Sequence, residues 1–154
     1  MWSSLSGSRV PDIVHAVRSL ASAANRVVHI GTDAKHRGFH TDFVTVITVL
    51  NPGHGGRVFY RRQRQSRMRS LAQKLFREAE LSLDVAQMIS DEITQDVFVH
   101  VDANEDTRHK SSKYVQALSG MVIGYGFQVL VKPHAWCASH VADFVVKEKH
   151  LKAA

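Results

Sequence analysis

Two short runs rich in β-branched residues, 26–33 (RVVHIGTD) and 97–102 (VFVHVD), each close on an aspartate, and a long helical stretch lies between them. Runs of this kind read as strands. The helix is read from Met68, Leu71, Leu75, Ala79, Leu83, Ala86 and Ile89, apolar at steps of three and four through residues 66–90, with Ser66 as its cap. A helix between two strands favours a right-handed parallel connection, so the chain is constrained to a sheet with helices on its faces.

The remaining elements extend this frame. Residues 42–50 (DFVTVITVL) and 57–62 (RVFYRR) flank a turn built on Pro52, Gly53, Gly55 and Gly56, and with the first strand they make an antiparallel meander. A helix over 112–123 ends at Gly124, a short strand covers 127–131, and Pro133 stops it. A last helix is expected over 135–147, from Ala138, Val141, Ala142 and Val145. The fold class is therefore α/β, a mixed five-stranded sheet flanked by helices. Before it, residues 11–24 carry Ile13, Val14, Val17, Leu20 and Ala21 at helical spacing. An N-terminal segment, 1–25, is thus expected to pack its amphipathic helix on a domain spanning 26–154. No repeat or linker divides the chain.

With 154 residues, 44% of them hydrophobic, the chain can bury one sizeable core. Twenty Lys and Arg against fourteen Asp and Glu leave a net charge of +6, which suits a polyanionic partner. One cysteine, Cys137, excludes an intramolecular disulfide framework and fits a reducing compartment, the cytoplasm. No apolar run reaches the roughly 18 residues that span a bilayer, and no apolar signal core opens the sequence, so no membrane partner is expected.

Asp33 and Asp102 sit where a sheet gives way to a cleft, the usual place for ligands in α/β proteins. If their strands are parallel neighbours, at a spacing of about 4.8 Å, the two carboxylates can share a cation. Alone they would repel and raise each other's pKa, and an ion offsets that repulsion. Mg²⁺ suits such an open, all-oxygen site. Taken singly, each aspartate could as well make a turn or cap the next segment.

The order of acids resembles the ribonuclease H superfamily: an Asp on the first strand, an acid on the following long helix, an Asp ending the fourth strand and an acid on the last helix. More closely, IGTDAK (30–35), REAELSLDVA (77–86), HVDAN (100–104), GMVIGYGF (120–127) and KPHAWCASHVADFVVK (132–147) are similar to the YkuK-type ribonuclease-H-like family. The resemblance implies a sheet order of 3-2-1-4-5 with strand 2 antiparallel, which places the Asp33 and Asp102 strands side by side. It implies that Asp33, Glu78, Asp102 and Asp143 are the catalytic metal ligands, holding two Mg²⁺ or Mn²⁺ ions. Glu80, two residues along the same helix, is the alternative to Glu78.

Around this set, His140 and Lys147 share a helical face with Asp143 through spacings of three and four, as supporting groups. Arg61, Arg62, Arg64 and Arg67 belong to a basic stretch leading into the long helix. Together with Lys35, Arg37 and Lys132 they are candidates for contact with a nucleic-acid backbone, although charge runs of this kind are also ordinary solvated faces. His134, Cys137 and His140 invite a zinc reading, but steps of three drift around a helix and no fourth ligand is evident. Cys137 reads as a buried thiol.

The function this implies is metal-dependent hydrolysis of RNA, DNA or hybrid phosphodiesters by a two-metal mechanism. The rivals are a non-catalytic nucleic-acid-binding module on the same fold and a phosphohydrolase of small substrates. A homodimer is one assembly open to a small nuclease without a separate recognition domain.

Overall fold

A computed structural model describes residues 1–138. Its sheet has seven strands in the order β2-β1-β5-β4-β3-β6-β7. The strands are β1 (Trp2–Ser4), β2 (Arg9–Val10), β3 (Val27–Arg37), β4 (His40–Leu50), β5 (Gly56–Ser66), β6 (Val97–Asn104) and β7 (Gln128–Lys132). The helices are α1 (Ile13–Ala21), α2 (Leu71–Ser90) and α3 (Val115–Gly124), the last preceded by a 3-10 turn, Lys110–Tyr114. The five expected strands keep their succession as β5-β4-β3-β6-β7, with β4 antiparallel to both neighbours and β3, β6 and β7 parallel.

The expected count of five is corrected to seven by a small N-terminal hairpin that extends the β5 edge. Trp2 pairs with Arg61 and with Val10, so β1 is held on both sides. Strands of three and two residues carry no detectable alternation, which is why they escape a reading of the sequence. Asp12 caps α1 by accepting from the His15 N–H at 3.0 Å, and Ile13, Val17 and Ala21 bury one face of the helix.

Alternation along β3 sorts the two layers. Val28 and Ile30 pack with Val17 of α1, Leu83 and Ala86 of α2 and Leu118 of α3 in the main core. The opposite face carries a smaller cluster, Val44, Val46, Cys137 and Ala138, with Tyr60 and Trp136 against it. Each fully buried Val, Leu or Ile contributes about 1.5–3 kcal/mol, so the helical layer dominates the stability of the domain.

Three boundaries near the site differ from expectation, and β5 also runs on beyond the expected Arg62 to Ser66. The first strand does not end at Asp33, because residues 34–37 continue to pair with β4 as far as Arg37 opposite His40. Likewise β6 runs past Asp102 to Asn104. The long helix begins at Leu71 rather than near Ser66. The Arg67 N–H donates to the Phe39 carbonyl and the Met68 N–H to Thr41 Oγ1, which keeps this stretch hooked to the β3–β4 hairpin. Ser70, accepting from the Gln73 N–H at 3.1 Å, is the cap. Of the last expected helix, residues 135–138 form an irregular turn with Ala138 at positive φ. Residues 139–147, with His140, Asp143 and Lys147, lie outside the described residues.

Candidate metal centre

Parallel pairing of β3 with β6 runs from Val28 opposite Val97 to Gly31 opposite His100 and stops there. Two residues further on, Asp33 and Asp102 stand level with each other beside the opening this leaves. Glu78, on α2, reaches the same place from the helical layer. Carboxylate oxygens of Asp33, Glu78 and Asp102 all lie within 4.8 Å of one another.

The electrostatics of this triad are unfavourable as they stand. Glu78 is only 3% exposed, and among the described residues neither of its carboxylate oxygens has a hydrogen-bond partner. Among the described residues the nearest compensating charge, Lys74 Nζ one helical turn before it, is 3.8 Å away, too far for a hydrogen bond. Burial therefore pushes the Glu78 carboxyl well above its ordinary range, Lys74 opposes this, and Asp102 and Asp33 add to it. Asp33 is raised as well, by burial first and the Asp102 charge second, against the pull of Lys74 and Lys35. Lys132, from the end of β7, makes a close ion pair with Asp102. Burial alone would lower the Lys132 ammonium, but its hydrogen bond to Asp102 and the surrounding acids hold it above its usual value.

A buried carboxylate with no partner costs several kcal/mol unless something compensates it. Three converging carboxylates form an all-oxygen donor set of the kind hard divalent cations take, and the orphaned Glu78 oxygens are what such a cation would satisfy. The donor set fits Mg²⁺ or Mn²⁺.

Glu80 points elsewhere. Its side chain is 55% exposed and is held by Arg77 Nη1 at 3.0 Å. Two residues on a helix differ by about 200°, so only one of the pair can face the sheet. The other candidates divide in the same way. Arg64 grips Asp42 through two hydrogen bonds of 2.8 and 3.2 Å, and Arg37 and Arg62 lie 3.3 and 4.0 Å from the same carboxylate. Arg61 turns to the helical side with its guanidinium 5.0 Å from the Trp2 ring, and burial lowers its pKa despite the nearby charge of Asp84. Lys35 and Lys132 flank the triad, and Arg67 sits at the turn of the β3–β4 hairpin.

A further layer under the aspartates is not evident from spacing. His100 Nδ1 accepts from the backbone N–H of both Trp136 and Cys137, at 3.1 and 3.2 Å. Its proton therefore resides on Nε2, which donates to His29 Nδ1 at 2.8 Å. This brace presses the segment after β7 onto Gly31, where a Cβ would meet the Cys137 carbonyl oxygen at 2.6 Å. Cys137 is buried and its thiol is pushed up to about 12 by desolvation, so it is a packing group. His134, by contrast, is exposed, and the zinc reading gains no support.

A family model described as ribonuclease H-like matches residues 9–147. The chain belongs to the ribonuclease H-like family. The YkuK-type blocks and the mixed sheet agree with that membership. No curated protein shows significant sequence similarity to this family member. A solved structure of RNase H1 from the halophilic archaeon Halobacterium salinarum NRC-1 aligns with a TM-score of 0.41 at 17% identity, over 71% of this chain and 91% of that one.

Proposed function

We propose that the chain is a metal-dependent nuclease that hydrolyses nucleic-acid phosphodiester bonds, with Asp33, Glu78, Asp102 and Asp143 as ligands of two Mg²⁺ or Mn²⁺ ions. The observation that carries this reading is the convergence of Asp33, Glu78 and Asp102 within 4.8 Å, with the buried Glu78 oxygens without a hydrogen-bond partner among the described residues. Membership of the ribonuclease H-like family supports it. When bound, such ions supply Lewis acidity towards an attacking water and towards the leaving oxygen.

The residues of the chain then have distinct tasks. Asp33 and Asp102, on rigid strands, fix the ligand positions from the sheet, and Glu78 closes the set from α2. Lys132 orients Asp102 through its ion pair and offsets the summed negative charge so that phosphate can approach. Lys74 does the same beside Glu78. His140 and Lys147 are assigned to the support of Asp143. The cytoplasm, where the lone buried thiol needs no oxidised partner, suits such an enzyme. No helix among the described residues is long and apolar enough to cross a membrane.

The test is cleavage of single-stranded, duplex and hybrid substrates with Mg²⁺ or Mn²⁺. Asp33→Asn and Asp102→Asn are each expected to lose at least about 100-fold in turnover, since even removing groups behind metal ligands commonly costs 10–100-fold. Full metal-dependent cleavage in both variants would refute the assignment.

A further inference from the structure

The β3–β4 hairpin reverses through Gly38, at φ 60°, and Phe39, a residue 90% exposed. No other large apolar side chain among the described residues is as open to solvent. The tip is not loose. Arg67 donates its backbone N–H to the Phe39 carbonyl at 3.1 Å and its Nη1 to the Gly38 carbonyl at 2.9 Å, so the ring is displayed on a pinned turn.

Beside it runs an open groove of about 690 Å³, lined by His36, Phe39, Arg67, Arg69 and Lys74 among others, with no acidic side chain among the described residues of its walls. The Thr41 hydroxyl, which accepts from the Met68 N–H, lies 3.0 Å from His36 Nδ1. Burial and then the charges of Arg67 and Lys74 lower the His36 pKa, which registers the positive field of the groove. Nearby acids are already engaged, Asp42 by Arg64 and Glu80 by Arg77. Lys74 belongs both to this groove and to the surroundings of Glu78.

A basic channel alone would accept any phosphate backbone, duplex or not. A rigidly presented aromatic ring adds something a duplex cannot use, because stacking on it requires a base face that is not already stacked. We infer that this groove captures an unpaired strand of nucleic acid, with Phe39 stacking on one base and Arg67 and Arg69 holding the flanking phosphates. From Phe39 back along β3 to Asp33 is roughly 15–20 Å at the rise of a strand, a span of several nucleotides. Lys74 then leads the strand towards the carboxylates, and this last step rests on the proposed nuclease reading, whereas capture does not.

The experiment is fluorescence anisotropy of labelled oligothymidylate, oligouridylate and a blunt duplex with the full chain in EDTA, where no cleavage can occur. Phe39→Ala is expected to weaken single-strand binding about ten-fold, within the range for loss of one stacked base, and to leave duplex binding unchanged. Arg69→Ala is expected to weaken single-strand binding and flatten its salt dependence. Phe39→Trp is expected to retain affinity and to show quenching of the added indole when the strand is titrated in. A parent chain that binds in this pattern yet never cleaves with Mg²⁺ or Mn²⁺ would sink the nuclease and leave the groove standing. The inference is overturned if the parent does not bind single strands, if Phe39→Ala and Arg69→Ala both bind them within two-fold of the parent, or if the duplex binds as tightly. It is equally overturned if Phe39→Ala alters the oligomeric state on size exclusion while strand binding is unchanged.

Discussion

Asp33 and Asp102 stand level across β3 and β6, two residues beyond the last pair, Gly31 and His100, at which those strands are hydrogen-bonded. Adjacent strands force the carboxylates together, and the loss of pairing opens the space in which a third group can meet them. A fold that holds like charges this close stores repulsion that a cation relieves. Mg²⁺ or Mn²⁺ is therefore expected to raise the Tm of the parent protein. At a hundredfold excess over Kd the gain is about 2.7 kcal/mol, or roughly 5–10 °C for a domain of this size. Asp33→Asn and Asp102→Asn should abolish most of that shift in differential scanning fluorimetry, and a shift of parental size in both would contradict the shared site.

Glu78 should betray itself through pH. Its folded carboxyl is raised above the ordinary value of 4.5 by burial, so the folded protein binds this proton more tightly than the unfolded chain does. That contribution to stability is complete below the unfolded value and is lost as pH rises through the folded one. Metal-free protein is thus penalised at neutral pH, and Glu78→Gln, neutral and nearly isosteric, should raise its Tm there by a few degrees. About 1 kcal/mol corresponds to ~2–4 °C. Below the ordinary carboxylate range the two proteins should melt alike. A lower Tm for the Gln variant in EDTA at pH 8 would show that Lys74 compensates the charge after all.

Asp42 behaves in the opposite sense. The Arg64 hydrogen bonds come first among the causes that hold its carboxyl below the usual value of 3.8, with the charges of Arg64, Arg62 and Arg37 reinforcing them. A depressed folded pKa contributes stability that is present above the unfolded value and disappears as pH falls through the folded one. Asp42→Asn should destabilise the protein at pH 7 by about 1–2 kcal/mol, discounted for the exposure of Arg64, and the loss should vanish in acid. Chemical denaturation at pH 7 and in acid below the folded value of Asp42 tests both arms. The same clamp accounts for Arg37, Arg62 and Arg64 as structural partners of one acid, and Arg64→Ala is expected to lower stability more than affinity for nucleic acid.

That clamp also shows where a sequence stops being informative. Asp42 is 22 positions from Arg64 along the chain, and only the hairpin register that sets them opposite each other makes them partners. The strand cores and the long helix were legible because their apolar periodicity is local and strong, whereas the adjacency of Asp33 and Asp102 came only with the family resemblance. Lys35, His36 and Arg37 hid the second half of β3, since their polar character masks a stretch whose backbone is satisfied by β4. Glu78 could be separated from Glu80 only once the rotation of α2 on the sheet was fixed by packing. The histidine brace gave no signal at all, because two histidines 71 positions apart become neighbours only through parallel pairing of β3 with β6.

His100 carries the last expectation. Its Nδ1 is the acceptor for two backbone N–H groups of the segment lying on Gly31, and it is held neutral, its pKa driven down to about 3 by burial and then by His29. His100→Ala strips both N–H groups of their acceptor, at a cost of about 2–4 kcal/mol. The effect should be local as well as global, since the segment released is the one that buries Cys137. Reaction of that thiol with a disulfide reagent, very slow in the parent because the group is enclosed and its pKa lies near 12, is expected to accelerate about ten-fold or more, each 1.4 kcal/mol of easier opening being a factor of ten. The acid limb of the stability curve gives an independent reading. A histidine whose folded pKa lies below the unfolded 6.5 withdraws stability as pH falls from that value towards 3, so the variant should lose stability less steeply over this interval. An unchanged thiol rate together with an unchanged acid slope would mean that His100 does not hold the segment down, and that its contacts with Trp136 and Cys137 contribute nothing to the floor of the carboxylate site.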